Sequence, residues 1–493
     1  MGNSRKSIIS ALFLIADSVL QKMLGLISTL ILARILIPAD FGIVAIAMLV
    51  IALTEVFTQT ASAQYIATRE EIDDEILNSA WTLDIIVKVM VFAVINLIAM
   101  PTADYYQKPE LSSLIHALSF VTIVSAFSNP GTWVLAREQN YKGIFKAQVF
   151  AKICAVSVTV LIAVIFKSYW ALVFGMLTTT FVTTSLSYRI SGYRPRLCKT
   201  GIKKQLSFSA YMIPQELFGY VKANIDSFFI SKHYSDKAFG SFHVMKYIAV
   251  IPSLDIINPL TQPLLVEMAK KPKDNREKLY KYTLTFIAVS LVAVPISIFC
   301  YQNSLHIVIL LLGTKWASYH EIFGAMTLLV TSLFIANHCK RILLVKSKTS
   351  YILAYEFMAV ALVTFTVVTN LDSNINVLIN QRVYVELGLV FVFLVLVGYY
   401  YLSKSFIVFL ARILPISICF ILVTVFSNLG NNFLQELKFN SFINLLLNGV
   451  SFILIYSACL VCVFYLYYRK TEEGIQLLNI SLYKLFPKLQ KAN

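Results

Sequence analysis

One pattern decides what this chain can be: fourteen apolar stretches follow one another, each near the 17 to 25 residues a helix needs to cross about 30 Å of hydrocarbon. They lie near 8–33, 40–63, 77–100, 111–135, 145–166, 169–188, 206–231, 239–266, 280–300, 319–339, 351–370, 378–402, 405–427 and 442–467. Lipid offers no water to a bare backbone, so such segments fold as helices. Only 14% of the 493 residues are charged and 58% are hydrophobic, too little charge to cover a soluble protein of this length. The expected fold class is an all-α polytopic membrane protein with about 14 transmembrane helices. A shorter run, "LHIVILLLG" (Leu305 to Gly313), cannot cross alone and is expected to be an interfacial or re-entrant piece.

Basic residues set the orientation. With Met1 inside, and with Lys146, Lys281, Arg382 and Arg412 counted with the loops they adjoin, 29 Lys and Arg fall in inner termini and loops and 8 in outer ones, the rest lying within spans. Stretches such as "SGYRPRLCKTGIKK" and "KKPKDNREKLYK" are therefore expected to be cytoplasmic, with both termini. The net charge of +16 reads as basic loops facing anionic membrane lipids, and no nucleic-acid partner is expected. The first span is too long for a cleaved signal peptide and is expected to be retained. The seven cysteines lie almost all in spans or inner loops and suggest no exported disulfide framework, and the six histidines show no metal spacing.

Against this apolar background, "QELFGYVKANIDSFFISK" (Gln215 to Lys232) holds Glu216, Lys222 and Asp226 inside a span. A charge at mid-bilayer costs roughly 2.5 to 3.5 kcal/mol on insertion scales, so retained charges are paired or used. At helical spacing Gln215, Gly219, Lys222 and Asp226 share a face of span 7. Span 1 aligns Ser18, Lys22, Gly25 and Thr29, and span 2 aligns Glu55, Gln59 and Ser62. Span 8 places His243 and Lys246 together, with Asp255 farther along. Polar faces on four helices describe a hydrated cavity better than a dry core. Lys22, Lys222 and Lys246 are the candidate cations of that cavity, and Glu55, Gln59, Gln215, Asp226 and Asp255 its polar or ion-coupling groups. Asp84 and Lys88 form a second tier. The competing reading is structural: Lys222 with Asp226, Asp84 with Lys88 and Arg382 with Glu386 stand four apart and can neutralise each other within one helix.

An internal repeat accompanies these faces. The turn after span 1 reads "LARILIPADFGIVAIAML" and that after span 7 reads "ISKHYSDKAFGSFHVMKYI". In each a basic residue (Arg34, Lys232) closes one helix, and after identical spacing a Phe-Gly pair (Phe41-Gly42, Phe239-Gly240) opens the next. Six spans apart, the match suggests two homologous halves in parallel orientation.

The opening "SVLQKMLGLISTLILARILIPADFGIVAIA", the later "NIDSFFISKHYSDKAFGSFHVMKYI" and the fourteen-span plan resemble the polysaccharide-exporting (Wzx-type) branch of the multidrug/oligosaccharidyl-lipid/polysaccharide flippase superfamily. The resemblance implies two pseudo-symmetric six-helix lobes, residues 1–200 and 201–403, forming a V-shaped cavity lined chiefly by spans 1, 2, 7 and 8. Residues 404–493 would hold two accessory C-terminal helices and a cytoplasmic tail. It further implies a flippase of the bacterial cytoplasmic (inner) membrane. The cargo would be an undecaprenyl-pyrophosphate-linked oligosaccharide, moved from the inner to the outer leaflet by alternating access for O-antigen, capsule or exopolysaccharide synthesis. A polysaccharide polymerase and glycosyltransferases are the implied partners. In that setting the three lysines would attract a pyrophosphate, and Asp226, paired with Lys222, could take H+ or Na+ and couple transport to a gradient. The two Phe-Gly turns would approach in the inward-facing state and part in the outward-facing one. No enzyme activity, catalytic residue, resident cofactor or metal is expected. Two alternatives stay open: an ion-coupled multidrug or other small-molecule exporter of the same superfamily, and a membrane glycosyltransferase or polymerase, which would ordinarily carry a large exported loop.

Overall fold

The computed structural model describes residues 2–58, 62, 66, 72–252, 274–346, 348–436 and 440–467, and among these it contains sixteen α-helices and no strand. In chain order the helices are α1 (Gly2–Ile35), α2 (Pro38–Val56), α3 (Asp74–Tyr106), α4 (Pro109–Ala126), α5 (Gly131–Arg137), α6 (Tyr141–Phe166), α7 (Trp170–Ile190) and α8 (Ile202–His233). They continue as α9 (Asp236–Pro252), α10 (Asn275–Gln302), α11 (Ser304–Leu312), α12 (His320–Val345), α13 (Thr349–Thr369), α14 (Ile375–Leu402), α15 (Ser405–Glu436) and α16 (Ser441–Leu466). Their starts follow local chemistry. Pro38 and Pro109 open α2 and α4, where the missing N–H is no loss. The carboxylates of Asp73 and Asp274 accept from the N–H groups of Ile76 and Glu277, each at 2.7 Å, and cap α3 and α10.

Among the described residues twelve helices are long and apolar enough to cross a membrane, and the chain is a multi-pass membrane protein. α8 is not among the twelve: it is 32 residues long, but Glu216, Lys222, Asp226 and Lys232 all fall between its midpoint region and its C-terminal end. α9 is described only as far as Pro252, so half of the span expected over 239–266 lies outside the described residues. The span expected over 111–135 is shorter than its apolar run suggested. α4 ends at Ala126, and the Asn129 side chain accepts the Gly131 N–H at 2.9 Å in a turn through Pro130 that leads into the seven-residue α5. The run at 305–313 forms the nine-residue α11, followed by a 3-10 turn (Thr314–Tyr319) around the fully buried Trp316.

The chain divides into two compact units, Met1–Val244 and Met245–Asn493. In the first, α6 packs on α7 and α1 through a stripe of small residues, Ala147, Ala151, Ala155, Thr159 and Ala163, one per turn. Small side chains let helix backbones close up where lipid supplies no hydrophobic push. The fit leaves no slack at Gly175 of α7, where a Cβ would stand 2.0 Å from the Thr159 hydroxyl. In the second unit the core is aromatic. His338 sits edge-on between Tyr282 and Phe286, at centroid distances of 4.8 and 5.4 Å, with Phe409 packed on both rings.

The basic loop after α7 is pinned rather than free. The Tyr193 hydroxyl donates to the Asn78 side-chain oxygen at 3.0 Å, which also takes the Arg196 N–H at 2.7 Å. The Cys198 N–H donates to the Thr82 hydroxyl at 2.9 Å, and the Asn129 side chain donates to the Tyr193 carbonyl at 2.8 Å. Burial first, and then the Asp74 carboxylate, push the Tyr193 hydroxyl from 10.0 up to about 12. The folded chain thus holds this proton more tightly than the unfolded one. Its contribution to stability is complete below the unfolded value and is lost as pH rises from about 10 to about 12. Tyr193→Phe is expected to lower the thermal midpoint near neutral pH and to remove that part of the alkaline loss. A melting curve unchanged at both pH values would contradict the pinning.

Candidate functional site

The Phe-Gly repeat proves to be a place where the chain touches itself. α1 ends at Ile35 and α2 starts at Pro38; α8 ends at His233 and α9 starts at Asp236. In both, two residues turn the chain and the Phe-Gly pair follows in the first turn and a half, with Phe41 and Phe239 buried. The two glycines then meet reciprocally. A Cβ on Gly42 would stand 2.2 Å from the carbonyl oxygen of Asp236, and one on Gly240 would stand 1.9 Å from the carbonyl oxygen of Pro38. Pro38 and Asp236 are equivalent positions of the repeat, so the crossing of α2 and α9 is self-complementary, like the contact across a two-fold axis. Backbone lies on backbone here, which glycine alone permits.

Charged and aromatic groups fasten the same end of the unit. Lys108, just ahead of α4, pairs with Asp236. Lys232 donates to the Tyr105 carbonyl and lies over the Tyr105 and Tyr106 rings at 4.2 and 5.8 Å. The Tyr106 and Ser231 hydroxyls are 3.1 Å apart, and farther along α8 the Tyr220 hydroxyl donates to the Leu49 carbonyl of α2 at 2.5 Å. Sequence reasoning assigned Lys108 and Lys232 to outer loops and missed this latch. The opposite charges of Lys108 and Asp236 were visible, but nothing in the sequence links positions so far apart.

The lysines singled out for a cationic cavity fall in both units. Lys22 lies on α1 with its side chain exposed, and Lys222 lies half-buried on α8, both in the first unit. Lys246 lies half-buried on α9, in the second. One turn beyond Lys222, Asp226 is 2% exposed, and its Oδ1 accepts from the Ser227 N–H at 2.8 Å. Glu55 is half-buried on α2. Gln215 lies on α8 with only its backbone described, and Gln59 and Asp255 lie outside the described residues.

The second-tier pair is built into a network. Lys88 stands 3.4 Å from Asp84 and reaches the Ser125 carbonyl at 3.4 Å. Asp84 accepts from the Ser62 hydroxyl at 3.1 Å, and the fully buried Gln205 donates to that hydroxyl at 2.6 Å. Arg382 and Glu386 pair at 2.8 Å along α14, and Glu356 pairs with Lys340 at 2.6 Å. These groups neutralise one another within the protein, as their spacing or position allows.

Polar helix faces and a symmetric glycine crossing inside an all-helical membrane protein suit a transporter, and comparison with known proteins decides the family. Residues 31–321, more than half of the chain, match the model of a family described as "Polysaccharide biosynthesis protein". The chain belongs to that family. It is 23% identical over 344 residues to an uncharacterized membrane protein in the cps region of Klebsiella pneumoniae, covering 69% of this chain and 71% of that one. It is 22% identical over 330 residues to the lipopolysaccharide biosynthesis protein WzxC of Escherichia coli, covering 66% and 67%. Among solved structures it shares its fold with the lipid II flippase MurJ, at a TM-score of 0.71 and 12% identity over 92% of this chain and 99% of that one.

Proposed function

We propose that this polysaccharide biosynthesis protein is a flippase. It carries an undecaprenyl-pyrophosphate-linked oligosaccharide from the inner to the outer leaflet of the bacterial cytoplasmic membrane by alternating access, and it is not an enzyme. The observation that carries the reading is α8. It replaces an ordinary span with a helix bearing Lys222 and the buried Asp226 within its length, charges a membrane protein keeps for use.

Lys22, Lys222 and Lys246 would receive the pyrophosphate, with Glu55, Gln59, Gln215 and Asp255 as the polar lining. Asp226 would exchange Lys222 for H+ or Na+ as the cargo comes and goes, and no resident cofactor is required. An anion held jointly by α1, α8 and α9 would favour one arrangement of those helices over another, the only way a ligand drives a conformational change. Glycosyltransferases would supply the cargo and a polymerase would consume it. An organic-cation exporter would call for carboxylates alone, whereas the proposed cavity would carry three lysines.

Orientation is the first thing to test. Cysteine labelling after each span should place both termini and Arg194 on the cytoplasmic side, following the distribution of basic residues. Labelling of residue 194 by an impermeant reagent in intact cells would overturn the proposed direction of transport.

A further inference from the structure

The second unit carries a groove that the proposed translocation does not use. It opens between α12, α13 and α14, encloses about 310 Å³, and is walled by apolar side chains that include Leu343, Ala354, Met358, Val392, Phe393 and Leu396. Tyr355, stacked on Phe393 at 4.0 Å, stiffens one wall. Met358, Val392 and Leu396 are 44%, 49% and 60% exposed, so the groove opens to the outside of the helices, where lipid lies. At one end stand Tyr351 and Tyr400, ring centroids 5.9 Å apart and both about half exposed, as tyrosines at a membrane interface do.

Past that end of the groove, outside its lining, the protein turns basic. One turn past Val397 on α14 comes Tyr401, and one turn past Leu343 on α12 comes Lys346. Two ammonium groups share the Tyr401 ring: Lys278 at 4.5 Å from its centroid and Lys346 at 5.6 Å. The neighbouring carboxylate of Glu277 is held by Lys281 at 3.0 Å, and that of Glu356 by Lys340 at 2.6 Å. Among the described residues neither Lys278 nor Lys346 makes an ion pair. Two like charges against one ring repel each other until an anion stands between them.

An apolar slot, an aromatic mouth and two cations just past it match an anionic amphiphile in both shape and charge. We propose that this groove binds an anionic glycerophospholipid, one acyl chain lying between α12, α13 and α14 and its phosphate between Lys278 and Lys346. The basic end belongs to loops that the distribution of Lys and Arg assigns to the cytoplasm, where the leaflet is anionic. None of its residues is among those proposed to hold the cargo, so it stands or falls independently of the flippase reading.

Native mass spectrometry of the full chain in detergent, titrated with phosphatidylglycerol, tests it. Replacing both lysines, Lys278→Gln with Lys346→Gln, is expected to weaken the tightest phosphatidylglycerol about 30-fold, at about 1 kcal/mol for each cation near a lipid surface. The pair Lys278→Arg and Lys346→Arg should retain it. Ala354→Trp, which fills the slot and leaves both charges in place, should lose it. Phosphatidylcholine should bind the wild type and the double Gln variant alike. Equal phosphatidylglycerol affinity in wild type and double Gln variant would overturn the proposal. So would undiminished binding by Ala354→Trp, or tighter binding of undecaprenyl phosphate than of phosphatidylglycerol at this site.

Discussion

Gly240→Ala is expected to prise α2 from α9 and to abolish crosslinking between cysteines placed at Pro38 and Asp236. The added Cβ would stand 1.9 Å from the Pro38 carbonyl oxygen and 2.6 Å from the Gly42 nitrogen. Both are backbone atoms, which cannot rotate aside as a side chain can. Overpacking of this kind costs roughly 1 to 3 kcal/mol or more. At about 1.4 kcal/mol per tenfold, that shifts a two-state equilibrium roughly 5- to 150-fold away from the touching arrangement. Gly42→Ala should act alike through the mirrored contact, 2.2 Å from the Asp236 carbonyl oxygen. The two substitutions open one contact, so together they should add little to either alone. The wild-type crosslink should be abundant and should change when lipid-linked oligosaccharide is supplied. A crosslink as strong in Gly240→Ala as in the wild type would mean that the seam is not closed in the membrane.

The second large effect is expected at the polar face of α8. Lys222→Glu should end transport while leaving protein in the membrane, because it puts a second carboxylate where an anionic cargo must enter. Lys222→Arg should keep much of the activity. Asp226→Asn should part binding from turnover: on the proposed pairing of Asp226 with Lys222, loss of the carboxylate releases the lysine, so cargo binds more tightly and leaves more slowly. A structural ion pair would behave otherwise. Removing one member of a buried pair costs about 3 to 5 kcal/mol and lowers protein abundance or thermal stability before anything else. Abundance and melting measured beside transport separate the two outcomes.

What could be read from the sequence and what could not divide along a physical line. The bilayer dictates the length of an apolar run, so twelve of the expected spans fall on helices long and apolar enough to cross it. The span expected over 111–135 ran too long because hydropathy passes smoothly through Phe127 to Pro130, while the backbone does not. The ion pairs of Asp84 with Lys88 and Arg382 with Glu386 were legible because i,i+4 neighbours on a helix must meet. The Phe-Gly repeat was legible as a repeat. Its reciprocal backbone contact needed the fold, as did the pairing of Lys108 with Asp236 and of Tyr106 with Ser231, since no periodicity relates residues on different helices. The network of Gln205, Ser62 and Asp84 escaped for the same reason. The groove bounded by Tyr351 and Tyr400 draws on three helices, each of which looks like an ordinary span when taken alone.

Translocation of an undecaprenyl-pyrophosphate oligosaccharide in sealed proteoliposomes, normalised to reconstituted protein, tests the central claim most directly. The wild type should expose the sugar on the far face in a time-dependent way. The variant carrying Lys22→Ala, Lys222→Ala and Lys246→Ala should lose activity at least about 30-fold, since each ammonium would be desolvated against the bound pyrophosphate and truncating such a partner costs some 2 kcal/mol or more. Its melting temperature should stay near that of the wild type. Full translocation by the triple variant would contradict the cationic site, and absence of translocation by the wild type in either direction would contradict the flippase itself.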